Sequence, residues 1–165
     1  MVKLFFLTTI LIALSIASHA QDKKIAFSAT TGLVISHTEL GTEYQEFDFG
    51  GHIGFNLYSK KEKRFKTDLQ SSLNVSGAQN SSSSFLSVNA LYGGRYYIID
   101  PEKPVTAFVN ALVGGVYIYE LGDDFIDDRF GVGYSVGGFV DINRLMIGAA
   151  AESFHNFIFK VGYTF

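Results

Sequence analysis

Five residues near the carboxy-terminus, Glu152-Ser153-Phe154-His155-Asn156, contain the side-chain types of a nucleophilic hydrolase. A serine hydroxyl becomes reactive when a histidine takes its proton and a carboxylate orients that ring. Residues two apart on a strand share a face, so Ser153 and His155 would meet if the segment were extended. At a hairpin tip both would face water, which is the expectation here. A second cluster, Glu120, Asp123, Asp124, Asp127 and Asp128, offers the hard oxygen ligands that divalent cations prefer. It lacks the spacing and the glycine of an EF-hand loop and reads as a solvated acidic loop. His52 has no second histidine nearby in sequence and is expected in a hydrogen-bonded network rather than on a metal. Lys60, Lys61, Lys63 and Arg64 read as a solvated turn, with a weaker claim on phospholipid head groups. No catalytic residue, metal site or cofactor is therefore assigned.

The elements that must position these residues are strands. Side chains on a strand alternate between its two faces. Eight segments alternate in this way, at about 24–36, 46–58, 64–76, 85–99, 105–119, 129–142, 144–154 and 157–165. The last is the clearest: Phe157, Phe159, Val161, Tyr163 and Phe165 lie on one parity, Ile158, Lys160, Gly162 and Thr164 on the other. The fifth is ambiguous, because Phe108, Leu112 and Ile118 compete with Val105, Val109, Val113 and Tyr117. Short turn-like connections (59–63, 100–104 and 143–144) alternate with longer polar or acidic ones (37–45, 77–84 and 120–128). The run Ser81 to Ser84 reads as a flexible loop tip.

Composition bounds the class. The chain has 165 residues, Tyr 9, Phe 16, Gly 17, Pro 2, no Cys and a formal net charge of −3. That charge argues against a nucleic-acid partner, which would require a basic face. Lys3, the apolar run Leu4 to Ala17 and the small residues Ser18-His19-Ala20 have the pattern of a cleaved secretory signal peptide, residues 1–20. Residues 21–165 then form a single domain. No later stretch is apolar enough for a spanning helix, so insertion into a membrane must use strands.

Eight alternating strands fit either a soluble lipocalin-like barrel, apolar inside, or a membrane barrel, apolar outside. The identity of the polar face separates them. It collects Asp48, Asp68, Asp141 and Glu152 against Lys66, Arg95 and Lys160, with His52, Gln70, Asn74, Asn89 and Asn110. This near balance of charge suits an internal network better than a solvated exterior. Aromatics fall near both ends of the segments, as two interfacial belts would. Centring the third and fourth segments on Asn80 and Ser81 places Lys66 opposite Arg95, with Asp68 diagonal to Arg95. Phe108, Leu112, Phe139 and Tyr97 on the inward parity would fill the interior of an eight-stranded barrel further.

The signal-peptide pattern, the strand pattern and a last strand carrying Tyr163 and Phe165 together resemble the small eight-stranded outer-membrane barrel proteins. These are the OmpA/OmpX-like class, and the barrel-domain proteins of Bacteroidota especially. The resemblance covers residues 24–165. It implies an all-β, eight-stranded antiparallel up-and-down transmembrane β-barrel without the peptidoglycan-binding domain of full-length OmpA-type proteins. It further implies outer-membrane lipid and lipopolysaccharide as surroundings, and Tyr163 and Phe165 as the signal read by the barrel-assembly machinery. The expected role is structural or interactive, with acidic loops outside and no extracellular partner identified. The alternatives are a lipid A-modifying enzyme, a soluble ligand-binding barrel and a narrow channel. Lipid A deacylases are eight-stranded barrels with Ser, His and Glu, but they place His two residues before Ser, whereas here Ser153 precedes His155.

Overall fold

A computed structural model describes residues 25–40, 44–59, 64–77, 84–121 and 128–165. The expected signal peptide, Lys60, Lys61, Lys63, Ser81 to Ser83, Asp123, Asp124 and Asp127 lie outside the described residues. Eight antiparallel strands form a closed barrel in sequence order: β1 (Ile25–Leu40), β2 (Tyr44–Ser59), β3 (Phe65–Gly77), β4 (Ser84–Tyr97), β5 (Val105–Leu121), β6 (Asp128–Ile142), β7 (Leu145–Glu152) and β8 (His155–Thr164). β8 returns to β1, pairing Ile35 with Phe157 and Ser28 with Thr164. Closure leaves no free sheet edge over the span where β1 and β8 pair. Several boundaries differ from expectation: β1 runs on to Leu40 and β2 starts at Tyr44, so the connection expected at 37–45 shrinks to residues 41–43, and β8 starts at His155 rather than 157. β4 ends at Tyr97, leaving Ile98 and Ile99 exposed beyond it, and β7 ends at Glu152 rather than Phe154.

The period of two decides which side is wet. Outward positions carry exposed apolar and aromatic side chains on every strand, among them Leu33, Ile53, Phe65, Tyr92, Val113, Val136, Ile147 and Phe159. Inward positions carry the buried polar ones. A soluble lipocalin-like barrel requires the opposite distribution, so this is a membrane-type barrel. The ambiguity of β5 resolves as Val105, Val109, Val113 and Tyr117 outward and Phe108, Leu112, Val116 and Ile118 inward. Apart from Thr106 and Asn110 its inward face is apolar, because one sector of the interior is a hydrophobic cluster of Tyr97, Phe108, Phe139, Met146 and Ala150. Phe108 stacks on Phe139, with ring centroids 5.2 Å apart.

The wall is uneven. At the end bearing Ile25 and Phe165, β6 turns into β7 through Asn143 and Arg144 at φ of 50° and 80°. Left-handed values at both central residues characterise the tight hairpin turn whose twist matches the strands it joins. At the far end β1 and β2 have 16 residues each and β5 has 17, against 8 in β7 and 10 in β8. The β7–β8 hairpin therefore stops short beside the β5–β6 hairpin. Phe154, at φ 68°, closes it with Ser153. Two bonds staple Ser153 to β6: its N–H donates to the Tyr134 carbonyl at 3.0 Å, and its Oγ accepts the Tyr134 N–H at 3.1 Å.

Candidate functional site

β7 carries only one acidic side chain into the lumen, and that carboxylate organises much of the interior. Glu152 is 2% exposed. Its Oε1 accepts from Gln70 Nε2 at 3.0 Å, from Ser135 Oγ at 3.1 Å and from the Lys160 ammonium, while Oε2 accepts from Asn74 Nδ2 at 3.3 Å. Asn74 extends the network: its Oδ1 accepts from His52 Nδ1, and its Nδ2 also reaches Ser87 Oγ. Thr30 Oγ1 lies 3.1 Å from His52 Nε2, and Ser87 Oγ lies 2.8 Å from His155 Nε2. This network draws on β1, β2, β3, β4, β6, β7 and β8. Such a set of bonds satisfies groups that bulk water cannot reach.

A second polar cluster lies nearer the end that bears Ile25. Lys66 stands opposite Arg95 in the β3–β4 ladder. Asp68 accepts from Arg95 Nε at 2.8 Å and from its terminal nitrogen at 2.6 Å, both at Oδ2, and from Asn56 Nδ2 at 3.2 Å. The Arg95 guanidinium lies 3.7 Å from the Tyr58 ring centroid and 4.6 Å from that of Phe108. Lys66 places its ammonium 4.7 Å from the Tyr97 ring centroid. Asp48 is buried on β2, across the ladder from Ser36. Asp141 is only half-buried, and its Oδ1 accepts the Arg144 N–H at 3.1 Å, so part of its hydrogen-bonding capacity holds the β6–β7 turn.

The expectation that Ser153 and His155 face water is corrected. They are 6% and 1% exposed. The two-residue turn ends at Phe154, and His155 already belongs to β8 on its inward parity, opposite Glu152. The hydroxyl that meets the imidazole is Ser87, 68 residues away in sequence, while Ser153 Oγ accepts from β6 backbone. Ser87 and His155 are both about 1% exposed, so neither is presented to lipid or solvent. Sequence reasoning missed Ser87, Thr30, Ser135 and Tyr58. Their inward parity was readable, but their partners lie on strands that only closure brings together. Among the described residues no three His, Asp or Glu side chains converge as metal ligands. Tyr163 and Phe165 lie exposed on the outer surface, and the Phe165 N–H donates to the Phe27 carbonyl at 2.9 Å.

Solved structures share this architecture. Neisserial surface protein A aligns with a TM-score of 0.61 and 11% identity, covering 87% of this chain and 96% of that one. The attachment invasion locus protein Ail of Yersinia pestis, in complex with the heparin analogue sucrose octasulfate, aligns at 0.58 and 14%, covering 86% and 99%. The outer-membrane enzyme PagL aligns at 0.52 and 10%, covering 82% and 97%. The chain has the fold of the small eight-stranded outer-membrane barrels. No protein-family model matches it, and no curated protein matches it in sequence. At these identities the likeness concerns the fold.

Proposed function

We propose that this protein is an integral outer-membrane barrel of a Gram-negative bacterium. In this reading it is exported by its signal peptide and serves a structural or interaction role through the connections at its far end. The observation that carries the reading is the inverted distribution of side chains, apolar outside and hydrogen-bonded inside. Such an exterior calls for lipid, and outer-membrane placement would add lipopolysaccharide to its surroundings. The β1–β2 and β5–β6 hairpins overhang the β7–β8 hairpin at this far end, and the run from Glu120 to Asp128 makes the β5–β6 hairpin acidic. In this reading the end bearing Ile25 and Phe165 faces the periplasm, and the overhanging hairpins of the opposite end face outward. The assembly machinery would take up β8 by its outward Tyr163 and Phe165.

Against the channel, the network around Glu152 and the cluster around Phe108 occupy the lumen. Against the lipid A enzyme, Ser87 and His155 are enclosed. Because the chain has no Cys, single cysteines report topology cleanly. On intact cells a membrane-impermeant maleimide should label Asp124→Cys, and should label Lys103→Cys only after the outer membrane is permeabilised. The folded protein should also migrate differently in SDS gels before and after boiling. Reversed labelling would overturn the orientation, and identical migration together with detergent-free solubility would overturn the membrane assignment.

A further inference from the structure

A cavity of about 300 Å³ occupies the mouth of the barrel at the end bearing Ile25. Its floor and walls include Tyr58, Tyr97 and Thr106, all buried, together with Lys66. The β4–β5 connection brings Lys103 to its rim, and the β6–β7 turn brings Arg144. These two segments are joined by a bond from the Asn143 N–H to the Pro104 carbonyl at 2.9 Å, so the rim is a built feature.

Charge within the cavity does not balance. Asp68 is committed to Arg95. Lys66 is 9% exposed and lies over the Tyr97 and Tyr58 rings, with no carboxylate or hydrogen-bond acceptor among the described residues. A ring face offers an ammonium some electrostatic attraction, but none of the three lone-pair acceptors its N–H groups can use. Lys103 and Arg144 add two more positive charges. Asp141 is the one acidic side chain in the lining, and it already accepts the Arg144 N–H. Asp100 and Glu102 lie in the same β4–β5 connection but do not line the cavity; there Asp100 Oδ1 accepts the Glu102 N–H.

We propose that this mouth is a binding site for a phosphate group. Three cations approach from three directions, β3, the β4–β5 connection and the β6–β7 turn. That arrangement suits an anion with several oxygens and more than one charge better than a planar carboxylate. Lys66 supplies the enclosed point charge, and Arg144 supplies a fork that can bind two oxygens at once. The volume lies at the lower end of ligand cavities and admits a phosphate with a small organic substituent. Tyr58 and Tyr97 provide flat walls for that substituent. The phosphate comes either from a soluble ester or from a phospholipid head group at the rim. Placing the mouth in the periplasm rests on the orientation proposed above, whereas binding by the isolated barrel does not.

The test uses the folded protein in maltoside micelles, which contain no phosphate. Glycerol 3-phosphate is titrated in, and the backbone amides of Lys66, Lys103 and Arg144 are followed by NMR. Parallel samples are held in nanodiscs of phosphatidylglycerol and of phosphate-free galactolipid. Saturable shifts in micelles identify a soluble ester as ligand. Shifts that separate only the two nanodiscs identify a head group. Lys66→Met and Arg144→Gln should each weaken binding by about tenfold, the loss expected for one charge-assisted contact. Heat-modifiability confirms folding, and should Lys66→Met not fold, the exposed Arg144→Gln decides alone. Absence of shifts in all three media overturns the proposal, as does binding that neither variant weakens.

Discussion

Glu152 and Lys160 form a buried ion pair whose two members are not equally supported. Glu152 also accepts from three neutral donors, Gln70, Asn74 and Ser135, whereas among the described residues Lys160 has only the carboxylate as a partner. Glu152→Gln should therefore strand a buried ammonium, at about 3–5 kcal/mol. Lys160→Met leaves a carboxylate still held by those three donors and should cost less, about 1–3 kcal/mol. Urea unfolding of the refolded protein, read by the gel shift, ranks the two, and the reverse order would mean that Lys160 has other partners. Asp68→Ala strands Arg95 in the same way, at about 3–5 kcal/mol. Glu102→Ala, on an exposed turn, should change stability by no more than about 0.5 kcal/mol. Equal effects of these last two would remove Asp68 from the interior. The Asp68–Arg95 contact was legible in the sequence, because β3 and β4 are consecutive and the centre of their connection fixes their register. Ser87–His155 and Gln70–Glu152 were not, since nothing local relates residues 68 and 82 apart until β8 meets β1.

At the scale of the strand, parity was legible wherever one face is apolar and the other polar, as in β2, β3 and β8. It failed to decide β5, whose two faces are both largely apolar, one toward lipid and one, apart from Thr106 and Asn110, toward Phe139 and Met146. Glycines on the strands are likewise of two kinds that composition cannot distinguish. Gly138 points outward into open space, and a Cβ there would meet nothing within 4 Å. A Cβ on Gly114 would lie 2.1 Å from the Ala90 carbonyl oxygen, which is backbone and cannot rotate away. β4 and β5 approach so closely at this point that the strand pair excludes any side chain. Gly138→Ala should fold normally, with a stability change within about 1 kcal/mol. Gly114→Ala should force the two strands apart and abolish the heat-modifiable form, or reduce its yield severely. Similar yields for the two variants would show that the β4–β5 contact is looser than the structure has it.

The whole molecule is held together by two different solvents, one inside and one outside. Within, Glu152 and Asp68 gather donors that no bulk water reaches; without, an apolar surface extends around all eight strands. Neither arrangement is stable by itself in water, since an exposed band of this kind would drive association of the barrels. The lipid supplies the condition under which the polar interior becomes the core. Charge placed on the outside should therefore be penalised by depth rather than by local packing. Val136 is exposed in the middle of β6, and Ile142 is exposed at its end beside the Asn143-Arg144 turn. In lipid vesicles Val136→Arg should cost about 2–4 kcal/mol and Ile142→Arg about 0–1 kcal/mol, because the guanidinium at the strand end reaches the interface. A barrel solvated on its exterior would accept both at little cost, since both side chains lie half-exposed on the outer face and outside the packed interior. Equal and negligible losses in vesicles would thus reject the lipid-facing assignment of β6 directly, whatever the fold.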